Sequence, residues 1–184
     1  MFSVLDVRFQ AYGKWNREQE TDERGCEMLS QLQKLSCETD GRYATDEELE
    51  FVSELGRSFY LRVQTYQRLQ ASEAVIVQQV LTKIQFLEPS LFHSNNADLI
   101  AKWKRDTIRV LRYSAIAMLL NDPDSLRDRL LFWFRTIMKA FGAERSCNVT
   151  YAVMQTVIKE HLTAPQASLF CPILEMNRQV LGAV

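Results

Sequence analysis

Trp103, Arg105, Asp106, Arg109 and Arg112 are the residues whose types and spacing could do chemistry. On a helix, Arg105, Arg109 and Arg112 stand at i, i+4 and i+7 and form a cationic ridge, with Asp106 three residues before Arg109 and able to pair with it. Such a ridge is most often a solvated face; a surface for an acidic partner is the minority reading. Trp103 brings a broad π face that buries ~150–250 Å² and prefers offset stacking on other rings. No nucleophile–base arrangement, phosphate-cradling glycine loop or carboxylate–histidine cluster is present in the pattern, so no catalytic residues are expected. The four cysteines, Cys26, Cys37, Cys147 and Cys171, are scattered without a Cys-x-x-Cys pair or a nearby histidine at ligand spacing. They read as free thiols of a reducing compartment, and no metal site is expected.

Helices must position these groups. The 184 residues suit one domain and can bury a core. Only 6 Gly and 4 Pro interrupt the chain, which favours long helices over many short strands. With 22 basic against 23 acidic residues the net charge is −1, so bulk attraction to nucleic acid or an acidic membrane is not supported. No membrane-spanning run of ~18 apolar residues occurs, and the first ten residues lack the pattern of a signal peptide. Asn148-Val149-Thr150 would be a glycosylation acceptor only in a secreted protein, which this is not expected to be.

Residues 1–25 read as an N-terminal arm, with Trp15 as its anchor if any. Residues 26–184 read as one domain, of which 26–40 form a short amphipathic helix and turn. Met28, Leu29, Leu32 and Leu35 share one side of that helix, and Asp40-Gly41 marks the turn. Thr45-Asp46-Glu47-Glu48 is a capping box opening a helix that should bend or break near Gly56. A second helix should run from about Arg57 to Ile84, with a loop over Gln85–Asn96 in which Asn95 or Asn96 caps the next. The central helix leads into Asp122-Pro123, an N-cap and a proline at the first helical position. On it, Ile100, Trp103, Thr107, Ile108, Leu111, Ala115, Met118 and Leu119 face the core, and the apolar end SAIAMLL should be deeply buried. The following helix should stop at Gly142, with Leu126 through Phe141 supplying its core face and Phe132 placed on the polar side. After a loop at Ala143–Asn148, a helix near Val149–Leu162 precedes a last one opened by Pro172. The expected fold class is all-α.

The central stretch carries a more specific pattern: Arg105-Asp106, Leu111-Arg112-Tyr113, Ala117-Met118-Leu119, then Asp122-Pro123. With GRYATDEELEFVSELGRSFYLRVQTYQRL from Gly41, the Gly142 stop and Ile158-Lys159-Glu160, it resembles the phycobiliproteins, most closely the allophycocyanins, over roughly Met28 to Val184. The resemblance implies a globin-like helical bundle with an N-terminal helical extension (phycocyanin-like) that docks on a partner subunit. Met28, Leu29, Leu32 and Leu35 would then be interface residues. Phe132 would join them, a single exposed aromatic being otherwise unremarkable. In that family a cysteine two residues before Arg-Asp holds an open-chain tetrapyrrole, a bilin, by a thioether. The aspartate bonds pyrrole nitrogens and arginines neutralise propionates. Asp106 and Arg105 stand at the matching positions, but the cysteine is replaced by Trp103, and the positions four or five residues before it, where the family has arginine, are Leu99 and Asp98.

The resemblance therefore leaves two roles for Trp103: stacking on a noncovalently held tetrapyrrole, or filling the vacated pocket. Filling is favoured. A micromolar site without a thioether needs ~8 kcal/mol from contacts alone. Cys171 and Cys147 are minor candidates for a second attachment. The two histidines, His93 in a polar loop and His161 at a polar helix end, are expected on the surface rather than on a haem. The expected function is non-enzymatic: a protein without covalent cofactor that binds a phycobiliprotein-like subunit, or itself, in phycobilisome or photosystem assembly or regulation. It would sit in the cytoplasm or at the phycobilisome and thylakoid surface. The alternative is a noncovalent bilin or tetrapyrrole carrier or sensor using Trp103, Arg105 and Asp106; a catalytic role is a distant third.

Overall fold

The computed structural model of the chain describes residues 30–92 and 97–182, apart from the side chains of residues 30–33 and 97. The arm, Met28, Leu29, Cys26, His93 and the caps expected at Asn95 or Asn96 lie outside the described residues, as does the side chain of Leu32. The chain divides into two units, residues 1–44 and 45–184. In the first, helix α1 (Ser30–Glu38) ends where Thr39 Oγ1 donates to the Leu35 carbonyl at 2.8 Å. Gly41 turns the chain at φ +74°, in the left-handed region that glycine enters without steric cost.

The second unit is built of helices joined by short turns, with no strand among its described residues. Helix α2 (Asp46–Leu87) begins at the expected capping box: the Glu48 amide donates to Thr45 Oγ1 at 3.3 Å, and the Thr45 amide to Glu48 Oε2 at 2.8 Å. It runs 42 residues, ~63 Å at 1.5 Å per residue, straight through Gly56. The expected break at Gly56 does not occur. A glycine costs a helix only ~1 kcal/mol, and the regular residues on both sides outweigh it. A 3₁₀ turn (Pro89–Phe92) follows, then α3 (Ala97–Leu120). Arg62, buried on α2, donates to the Met118 carbonyl and, at 2.9 Å, to Asn121 Oδ1. It thereby adds a second donor to a carbonyl at the end of α3 that also accepts from the Asn121 amide at 3.3 Å.

Asp122 caps α4 (Pro123–Leu126) by accepting from the Ser125 amide at 3.1 Å, with Pro123 in the first turn as read from the sequence. The chain then makes one π-helical turn, Arg127–Leu131, before α5 (Phe132–Ala140), which stops at Gly142 with φ +61°. Helix α6 (Glu144–His161) starts five residues earlier than expected, because neither glycine nor proline interrupts residues 143–148. Helix α7 (Ala164–Leu181) is opened by Pro165, not Pro172. Pro172 lies inside it and forgoes one backbone bond, to the Ser168 carbonyl.

Helices α6 and α7 pack on each other, α2 packs on α3 and α6, and α3 also meets α7. Ile76, Val80, Ile84, Met118, Leu131, Met154, Val157, Phe170 and Leu174 fill the centre. One buried polar link crosses it: Asn177 Nδ2 donates to Ser114 Oγ at 2.7 Å, and Ser114 to the Val110 carbonyl at 2.8 Å. The apolar end of α3 is not buried all round. Ser114, Ala115, Ala117 and Met118 face inward, whereas Ile116 and Leu120 are 43% and 38% exposed. Phe141, expected in the core, is exposed beyond the last turn of α5.

Candidate functional site

Three elements meet at Trp103. Its place on α3 turns the indole toward α6, where Nε1–H donates to Oγ1 of buried Thr150 at 3.0 Å. The ring stands edge-on to Phe92, from the 3₁₀ turn, with centroids 6.0 Å apart and planes at 88°. That is a favoured aromatic geometry, and the bond meets the rule that a buried indole N–H finds an acceptor. Trp103 itself is half-buried.

One turn on, Arg105 and Asp106 are also half-buried. The charge of Asp106 is felt by Cys147 and Tyr151, on the first turns of α6. The Cys147 thiol is pushed up to about 12, first by burial, then by Glu144 and Asp106. The Tyr151 phenol rises for the same kind of reason: burial first, then Cys147 and Asp106. Cys147 therefore stays a thiol at neutral pH, and it is the thiolate that attacks. A buried thiol so raised is a poor nucleophile. Asp98 and Leu99 are both exposed.

The arginine ridge is split. Arg112 is exposed and grips Glu73 of α2 with two bonds of 2.7 Å, which hold its guanidinium above its usual range. Arg105 and Arg109 are half-buried. A cavity of about 510 Å³ lies between the end of α2 and the start of α6, rimmed by Glu88 and Arg145, whose charged groups meet at 2.6 Å. None of Trp103, Arg105 and Asp106 lines it. Among the described residues no group of side chains could hold a metal ion, and no described helix is long and apolar enough to cross a membrane.

Of the docking candidates, Leu35 is half-buried and Phe132 is 49% exposed, with the Arg127 guanidinium 6.0 Å from its ring centre. His161 sits at the end of α6, its Nε2 2.7 Å from Gln79 Oε1. Phe92, Cys147, Thr150 and Tyr151 were not anticipated around Trp103. The sequence holds a signal for three of them: Cys147, Thr150, Tyr151 and Met154 repeat at helical spacing, visible once α6 is extended back to Glu144.

A search of curated proteins found no match. The family model described as "Phycobilisome protein" matches residues 35–181, well over half of the chain. It spans the capping box of α2, the Trp103–Asp106 turn and all the later helices. With its all-helical, globin-like domain, the chain belongs to the phycobilisome protein family.

Proposed function

We propose that this phycobilisome protein carries no covalent pigment and works through protein–protein contacts in phycobilisome or photosystem assembly or regulation. One observation carries the reading. The indole of Trp103, at the place of the attachment cysteine, is engaged inward with Thr150 and Phe92. A side chain tied to α6 and to the 3₁₀ turn in this way supports filling of the space between α3 and α6 over stacking on a pigment. The raised Cys147 thiol and the acidic Asp98 add support, since neither favours attachment of a pigment with two propionates. The partner is a phycobiliprotein-like subunit or a second copy, met at the phycobilisome or thylakoid surface, and no catalytic role is assigned.

The test is an absorbance spectrum of the protein made in cells that supply bilin. No visible band is expected. A band lost on denaturation would favour the noncovalent reading, with Arg105 and Asp106 on the pigment; a band that survives denaturation would sink the proposal. Mixing with allophycocyanin subunits and measuring mass tests the docking half, with a heavier complex expected.

A further inference from the structure

The far end of α2 carries a surface that the pigment question leaves untouched. Ile84 is the last residue of α2 held in the core. Pro89 then turns Glu88 out of helical geometry, and Glu88 closes the helix at φ −136°, its amide donating to the Ile84 carbonyl at 2.8 Å. Phe86 and Leu87 fall between that anchor and that stop. Phe86 is 84% exposed and Leu87 61%, so packing within the chain calls for an apolar residue at neither.

A single exposed phenylalanine needs no explanation, but this one stands beside a hole. Leu87, the next residue, forms one wall of the cavity of about 510 Å³, and Val149, Ala152 and Val153 of α6 form the other. Leu87 and Ala152 are exposed, so the cavity is open to solvent. A space of ~150 Å³ already holds a benzene ring. Knob and hole therefore lie in one patch, and the hole is large enough for the knob.

The rim decides what suits it. Glu88 and Arg145 meet there at 2.6 Å and cancel, so neither a free anion nor a free cation is drawn in. The same patch on a second copy offers a protruding ring beside one carboxylate and one guanidinium. A two-fold axis between copies sends each Phe86 into the other's cavity and sets each Glu88 against the other's Arg145, because every contact of an isologous interface occurs twice. A total charge of −1 puts little repulsion between the copies.

We propose that the chain forms a two-fold dimer through this patch, with Phe86 of each copy seated between Leu87 and Ala152 of the other. This rests on the reading of the chain as an interaction protein and names the surface and a second copy as its partner. Sedimentation of the full chain over a range of concentrations should show a monomer–dimer equilibrium. Phe86→Glu should weaken the dimer at least about a hundredfold, about tenfold at each of two equivalent sites, without lowering the melting temperature. Ala152→Trp, which fills the hole from an exposed position, should act in the same direction. Glu88→Arg and Arg145→Glu should each be monomeric alone, because like charges then face each other across the axis. Mixed, the two variants should dimerise, because both facing pairs are then opposite. Losing the surface bridge within each copy costs the fold little, and rescue on mixing shows that both variants are folded.

A chain that stays monomeric at every concentration overturns the proposal. So does a dimer that Phe86→Glu leaves intact, or a mixture of the two charge variants that stays monomeric. A monomer that gains mass with allophycocyanin subunits would sink this surface and spare the proposed function. A dimer dissociated by Phe86→Glu, in a protein whose bilin band survives denaturation, would do the reverse.

Discussion

Trp103 bears on how tightly the fold closes. Its bond to Thr150 and its edge contact with Phe92 join α3, α6 and the 3₁₀ turn. Trp103→Phe keeps a ring but removes the donor, leaving a buried hydroxyl short of one partner, and should cost about 1–2 kcal/mol. In a cycle with Thr150→Val, chemical denaturation should return a coupling of about 1 kcal/mol; no coupling would mean the bond does not form. Glu175 is a second residue whose charge matters. Bonds from Arg178 first, and then Gln155, hold its carboxyl at about 2, below the ordinary 4.5. The folded value is depressed, so this contribution is present above pH ~4.5 and lost as pH falls toward 2. Glu175→Gln should flatten the fall in stability over that window, as read from denaturation midpoints at several pH values. The sequence singled out Trp103 through the family resemblance, but not what it touches, because Thr150 lies 47 positions away on a helix whose start was misplaced.

At the scale of elements, the helix starts marked by a capping side chain were legible, while the starts of α6 and α7 and the interruptions were not. Thr45 with Glu48, and Asp122 with Pro123, mark helix starts by local chemistry that tertiary contacts did not override. Gly56 was read as a bend or break and Pro172 as the opening of the last helix, yet both lie within continuous helices: a glycine costs only ~1 kcal/mol among helix-forming residues, and the ~3 kcal/mol of a proline is small beside the packed face of α7. The π turn at Arg127–Leu131 left no mark in an apolar pattern that fits an ordinary helix. Where α7 ends against α6, close approach takes the place of side-chain packing. A Cβ on Gly182 would stand 2.7 Å from the Arg178 carbonyl oxygen and 2.8 Å from Asn148 Cβ. Gly182→Ala should therefore destabilise the domain by about 1–3 kcal/mol in thermal or urea unfolding, because backbone has to move. An unchanged midpoint would show that the end of α7 is freer than its packing implies.

For the whole molecule, the all-α class followed from few glycines and prolines and from long apolar stripes, and the family from the spacing around Arg105-Asp106. What stayed hidden is the uneven charge: the near-neutral total conceals an acidic stretch over residues 46–54. With a sequence pI near 6.2, turbidity should show least solubility near that pH, and salt should weaken association with basic partners more than with neutral ones. Arg62 gives the asymmetry a mechanical side. It joins the long rod of α2 to the Met118 carbonyl and to Asn121, a residue held at φ 54° just before Asp122. Through these two bonds any displacement of Arg62 along α2 would be felt where α3 gives way to α4.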